Sequence, residues 1–102
     1  MNNVAPITKN SLRLLTILLK ADATNQLTAI PISAISKKTN VSTVTVRNSI
    51  RSLMSHGYVD EGFTQRNART YYVTKNGADM VHAILRDIKG GMRQWKYQIY
   101  YL

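Results

Sequence analysis

The sequence predicts one small domain, mainly α-helical with a single β-hairpin, and three observations carry that expectation. The chain has 102 residues, one domain by length, able to bury roughly two-thirds of the surface its unfolded form exposes. Ile35 to Val59 reads as two short helices with a tight turn between them and a stop after the second. Val59 to Phe63 and Thr70 to Val73 then read as paired strands around a polar tip, Thr64 to Ala68.

Each element has its local reason. Thr8 or Ser11 can cap a first helix running to about Ala21, followed by the polar loop Asp22 to Gln26. Leu27 to Ile30 suits a short strand, and Pro31 fits the first position of a second helix, where its missing amide hydrogen is harmless. Ile35 sits at the centre of that helix, and Ser36 is small enough to let the next helix cross closely. Asn40 takes the turn because it tolerates left-handed backbone. Ser42 is an N-cap for the third helix, whose Val46, Ile50 and Leu53 recur at helical spacing and point inward. Gly57 ends it. After the hairpin, Thr74 caps a long helix with Met80, Val81, Ile84, Leu85 and Ile88 on one side; Gly77 weakens its first turn, and Gly90 and Gly91 end it. The domain is expected at residues 1–91, with its core at 8–89, and an aromatic tail at 92–102.

Charge narrows the class of partner. Fourteen Lys and Arg against five Asp and Glu give +9 and a pI near 10.2, which favours a polyanion. The excess is local: Lys37, Lys38, Arg47, Arg51, Arg66, Arg69 and Lys75 fall in the two-helix stretch and the hairpin, opposed there only by Asp60 and Glu61. Without cysteine there is no disulfide framework and no thiolate chemistry, which suits a reducing cytoplasm. No secretory signal opens the sequence, and the longest apolar stretch, around Leu14 to Leu19, is too short to span a bilayer. A soluble, cytoplasmic, nucleoid-associated protein is therefore expected, with no membrane partner. No nucleophile with a base beside it, carboxylate pair or metal cluster is evident, so no enzyme, cofactor or metal is expected. His56 reads as a cation complementing a helix end, and His82 is isolated in sequence.

Two blocks, VSTVTVRNSIRSLMSHGYV and RTYYVTKNG at Arg69 to Gly77, resemble the winged helix-turn-helix domains of prokaryotic transcription regulators, of the broad kind that includes the MarR-like and PadR-like repressors. The first resembles a recognition helix and its exit into the wing, the second the last wing strand entering a Thr-capped helix. The resemblance covers Leu27 to Ile88. It implies that residues 42–56 enter the major groove of double-stranded DNA, with the hairpin at 59–73 as the wing. Thr43, Val44, Thr45, Arg47 and Asn48 are then the base readers: Arg47 suits a guanine, Asn48 an adenine, and the methyls of Val44 and Thr45 a thymine methyl. Lys37, Lys38, Ser42 and Arg51 are placed on phosphates, which set register. Gln65, Arg66, Asn67 and Arg69 lie against the backbone or in the adjacent minor groove. The rival reading of these cations is a solvated helix face and a charged hairpin that blunts a sheet edge.

Two regions suggest a homodimer. The first helix carries Leu12, Leu14, Leu15, Ile17, Leu18 and Leu19, an apolar arc wider than one contact with a small core covers. The tail holds Trp95, Tyr97, Ile99, Tyr100, Tyr101 and Leu102, with either strand or helix period. Leu12, Leu15, Leu19, Trp95, Tyr97, Ile99 and Tyr101 are the expected dimer contacts; the alternative is a tail that folds back on its own domain. Two other readings of the whole chain stay open, a replication or plasmid-maintenance DNA-binding protein and a winged-helix module that docks on protein. The operator, the regulated genes, the sign of regulation and any small-molecule effector are unknown from sequence.

Overall fold

A computed structural model describes residues 8–89 as four helices and a three-stranded antiparallel sheet. The first helix, α1 (Lys9–Lys20), starts at Thr8, whose side chain accepts the Ser11 amide at 3.0 Å. A two-residue strand, β1 (Ile30–Pro31), leads into α2 (Ile32–Thr39), and α3 (Thr43–Ser55) follows a three-residue turn. The hairpin is β2 (Val59–Glu61) and β3 (Thr70–Val73), and α4 (Lys75–Lys89) closes the described chain. Sheet order is β1-β3-β2, with Ile30 opposite Tyr71 and Val59 opposite Val73.

The turn between α2 and α3 follows the expected chemistry. Asn40 adopts φ 58°, ψ 37°, the left-handed conformation. The Ser36 hydroxyl donates to the Val41 carbonyl, tying the corner to the preceding helix. The Ser42 hydroxyl then accepts the Thr45 amide at 3.3 Å. Val46, Ile50 and Leu53 are all buried, so the inward face of α3 is the one its spacing implies. Gly57 follows the helix at φ +77°, a region where a side chain is strained. Two tyrosines alternate across β3: Tyr71 is buried and Tyr72 half-buried.

Three expectations are corrected. Leu27 to Ile30 is not a strand over its length, because the Asn25 side chain accepts the amides of Leu27 and Thr28 at 2.9 and 3.0 Å and closes a turn there. Leu27 is left 82% exposed. Pro31 stands one residue before α2, paired with Thr70 in β1, an edge strand where a missing amide is tolerated. Two of the dimer contacts placed on the first helix do not hold: Leu12 and Leu15 are buried in the domain's own core, with Leu15 at 0% exposure, while Leu19 is half-buried beside that core. The reason is topological. α1 is the central helix, contacted by α2, α3, α4 and β3, so most of its wide apolar arc is covered within one chain, with Ile17 and Leu19 half-buried. Trp95, Tyr97, Ile99 and Tyr101 lie outside the described residues, as do Gly90 and Gly91. Among the described residues no helix is long and apolar enough to cross a membrane.

Gly77 has a packing role in addition to its weak propensity. A Cβ there would fall 2.2 Å from the Tyr58 carbonyl oxygen and 2.8 Å from Val73 Cγ2. The first turn of α4 therefore sits directly on the corner between α3 and β2, anchoring the wing at its base.

Candidate nucleic-acid interface

Helix α3 shows three different sides, set by its turn of about 100° per residue. Val46, Ile50 and Leu53 face the core. Val44, at 62% exposure, and Asn48 four residues on project away from the domain. Thr43, Arg47, Arg51 and Met54 form a flank turned toward the wing. That flank is one wall of an open cleft of about 550 Å³. The start of α2 supplies Ile32 and Ser33, and the wing supplies Glu61, Ala68, Arg69 and Tyr71.

Three arginines therefore line one concavity from two elements. Arg47 and Arg51 stand on α3 and Arg69 on the wing, all exposed. Glu61 is the carboxylate among the lining residues, with its Oε2 3.7 Å from Arg69 Nε. The pair is exposed on both sides, so it holds Arg69 weakly. An anion entering the cleft meets a net positive wall.

The wing tip is a two-residue turn. Gln65 and Ala68 exchange both backbone hydrogen bonds, at 2.9 and 2.8 Å, around Arg66 (φ 50°) and Asn67 (φ 66°). Positive φ at both central residues defines the type I′ turn that matches strand twist. Asn suits it; Arg does not, and a bulky residue there is strained. Gln65, Arg66, Asn67 and Arg69 are all exposed.

The remaining candidates divide by position. Lys37 and Lys38 are exposed in the last turn of α2. Ser42 donates its hydroxyl to Thr45 Oγ1 at 3.1 Å, so both hydroxyls are engaged locally and Thr45 is half-buried. His56 Nδ1 lies 2.8 Å from the Ser52 carbonyl at the C-terminal end of α3, in keeping with its reading as a helix-end partner. The sequence reading missed the cleft itself. Its signal was the four-residue step from Thr43 to Arg47 to Arg51, which puts three polar side chains along one flank.

The DNA-binding protein TubR of a Clostridium botulinum C phage is 29% identical to this chain over 79 residues, covering 78% of this chain and 98% of the relative. The solution structure of the DNA-binding TubR fragment from Clostridium botulinum superposes with a TM-score of 0.65 at 29% identity, over 78% of this chain and 99% of the other. The fold is the winged helix-turn-helix. A further winged helix, MepR, a transcription regulator of the Staphylococcus aureus multidrug efflux pump MepA, gives a TM-score of 0.71 at 18% identity, over 90% of this chain and 65% of its own, a likeness of fold alone. No model of a protein family matches the chain. Within this winged helix, α2 and α3 are the helix-turn-helix, α3 holds the recognition position, and β2 and β3 form the wing.

Proposed function

We propose that this protein binds double-stranded DNA sequence-specifically and acts as a small transcription regulator. The observation that carries the reading is the cleft walled by Arg47, Arg51 and Arg69 between α3 and the wing. A helix fits the major groove and a hairpin tip the neighbouring minor groove, so the strand separating the grooves runs between them. Its phosphates enter the cleft. The outward residues Val44 and Asn48, with Thr43, Thr45 and Arg47 beside them, then face base edges. The 29% identity to a DNA-binding protein over 98% of that protein's length supports the same reading.

Two such domains joined as a homodimer read a palindrome, and the expected repressor is of this kind. With Leu12 and Leu15 buried in the core, the aromatic tail is the segment proposed to make that link. A cytoplasmic location suits a DNA partner. No enzymatic role is proposed.

A second reading is favoured by the phage source of the TubR relative: DNA binding that maintains an extrachromosomal replicon. Selection from a random duplex pool tests the main proposal. Enrichment of half-sites spaced by about 10 base pairs or a multiple, with affinity falling steeply with salt, is expected. Failure to enrich any sequence, with binding insensitive to salt, excludes it. Deletion of the sites in the source DNA separates the two readings: altered transcription supports a regulator, and loss of the replicon supports maintenance.

A further inference from the structure

Val44 is the one large apolar side chain that α3 leaves in solvent among the described residues, at 62% exposure. Val46, two residues on and about 200° round the helix, is 1% exposed, so Val44 points directly away from the core. The stripe it belongs to is otherwise polar: Asn48, Arg51 and Ser55 follow at helical spacing, and all are exposed. Thr45, the other methyl carrier of this turn, is half-buried, and its Oγ1 accepts from the Ser42 hydroxyl at 3.1 Å.

Valine contributes little to the free helix at this position. Its β-branch lowers helix propensity, and its exposure leaves it almost nothing to pack on. The surroundings indicate what covers it. Arg47 and Arg51 stand exposed on the next two turns, and α3 carries no acidic residue. An apolar point rimmed by cations suits a polyanion that displays an apolar group on a reachable edge. The major groove of DNA displays one such group, the 5-methyl of a pyrimidine, among hydrogen-bond donors and acceptors. Valine laid on a donor or acceptor removes its water and returns no bond, which costs affinity. Val44 therefore favours the methylated edge and disfavours the others.

Asn48 completes a pair. It lies four residues on, about 6 Å along the same side of the helix, which is one to two base-pair steps of about 3.4 Å. Its side-chain amide suits adenine N6 and N7. We infer that Val44 determines specificity for a pyrimidine 5-methyl group, read within two base pairs of an adenine held by Asn48. The inference rests on the DNA-binding reading above and gives the chemistry that its half-site must carry.

The test uses the full chain and a duplex that it selects from a random pool. In one arm each thymine is replaced in turn by deoxyuridine, which removes the methyl and keeps every hydrogen-bonding group. One position per half-site should lose about fourfold in affinity, equivalent to about 0.8 kcal/mol for one methyl-sized contact. In the other arm each cytosine in turn receives a 5-methyl group. A loss in the first arm assigns the contact to thymine; a gain of similar size in the second, with no loss in the first, assigns it to methylated cytosine. Val44→Ala should keep the fold, since the side chain is exposed and alanine favours a helix, and should abolish the response in either arm. Affinity that ignores the methyl in both arms overturns the inference, and so does a response that persists in Val44→Ala. If the unsubstituted chain shows no salt-dependent affinity for any duplex, the DNA-binding reading fails first; salt-dependent, selective binding that ignores the methyl removes this inference alone.

Discussion

The Thr74 hydroxyl donates a 2.6 Å hydrogen bond to the carbonyl of Gly57, seventeen residues back, while the same oxygen accepts the Gly77 amide at 3.1 Å. One side chain therefore caps α4 and ties it to the end of the recognition helix. Thr74→Val keeps the shape and removes both bonds. It should lower stability by about 1 to 2 kcal/mol, as loss of a helix cap does, read from denaturant unfolding. An unchanged midpoint would separate the cap from the stability of the domain.

Gly77→Ala gives the opposite of what helix propensity suggests. Alanine is favoured over glycine in a helix by about 1 kcal/mol, yet its methyl meets the Tyr58 carbonyl oxygen at 2.2 Å. A net destabilisation of about 1 to 3 kcal/mol is expected from the overpacking. A more stable variant would show that α4 can lift off the corner freely.

For the recognition helix, Arg47→Ala should weaken binding to a selected site much more than to random DNA, whereas Lys38→Ala should weaken both alike and reduce the salt slope by about one. Arg47 lines the cleft beside Arg51 and Arg69, so a second outcome is informative: equal losses on both DNAs would assign Arg47 to a phosphate.

At the wing tip, stability and binding should move in opposite directions. Arg66 holds φ 50° without being glycine. Arg66→Gly should stabilise the fold by about 1 kcal/mol by relieving left-handed strain and at the same time lower DNA affinity, most at low salt where phosphate attraction is least screened. Unchanged affinity across salt would make the wing tip structural only.

Truncation after Gly91 removes Trp95 and three tyrosines, side chains that can each bury on the order of 150 to 250 Å². With the tail as the dimer link, the shortened protein sediments as a monomer, keeps its helical circular dichroism and loses affinity for a full palindrome far more than for a half-site. A truncated chain that stays dimeric would place the interface elsewhere on the domain, and one that unfolds would make the tail a cap.

Local chemistry was readable from sequence where one residue decides one backbone state. Asn40 in the left-handed turn, Ser42 and Thr74 as caps, and the inward stripe Val46, Ile50 and Leu53 are of this kind. The failures lie where an outcome depends on neighbours. Leu27 to Ile30 had strand composition, but Asn25 captured its amides. The leucines of α1 announced a wide apolar arc, and periodicity measures an arc's width without saying how many elements cover it. The cleft was legible only in half: the spacing of Arg47 and Arg51 placed them on one flank, while the approach of Arg69 required the strand register that pairs Glu61 with Tyr71.

The central place of α1 also limits how such a domain can be controlled. Because one helix is wedged against α2, α3, α4 and β3 together, a close-packed interior transmits displacement instead of absorbing it, and the recognition helix has no hinge of its own to swing on. In the proposed homodimer, a switching signal would then act on the distance or tilt between two such domains, so inserting a few base pairs between half-sites should weaken binding without touching the protein.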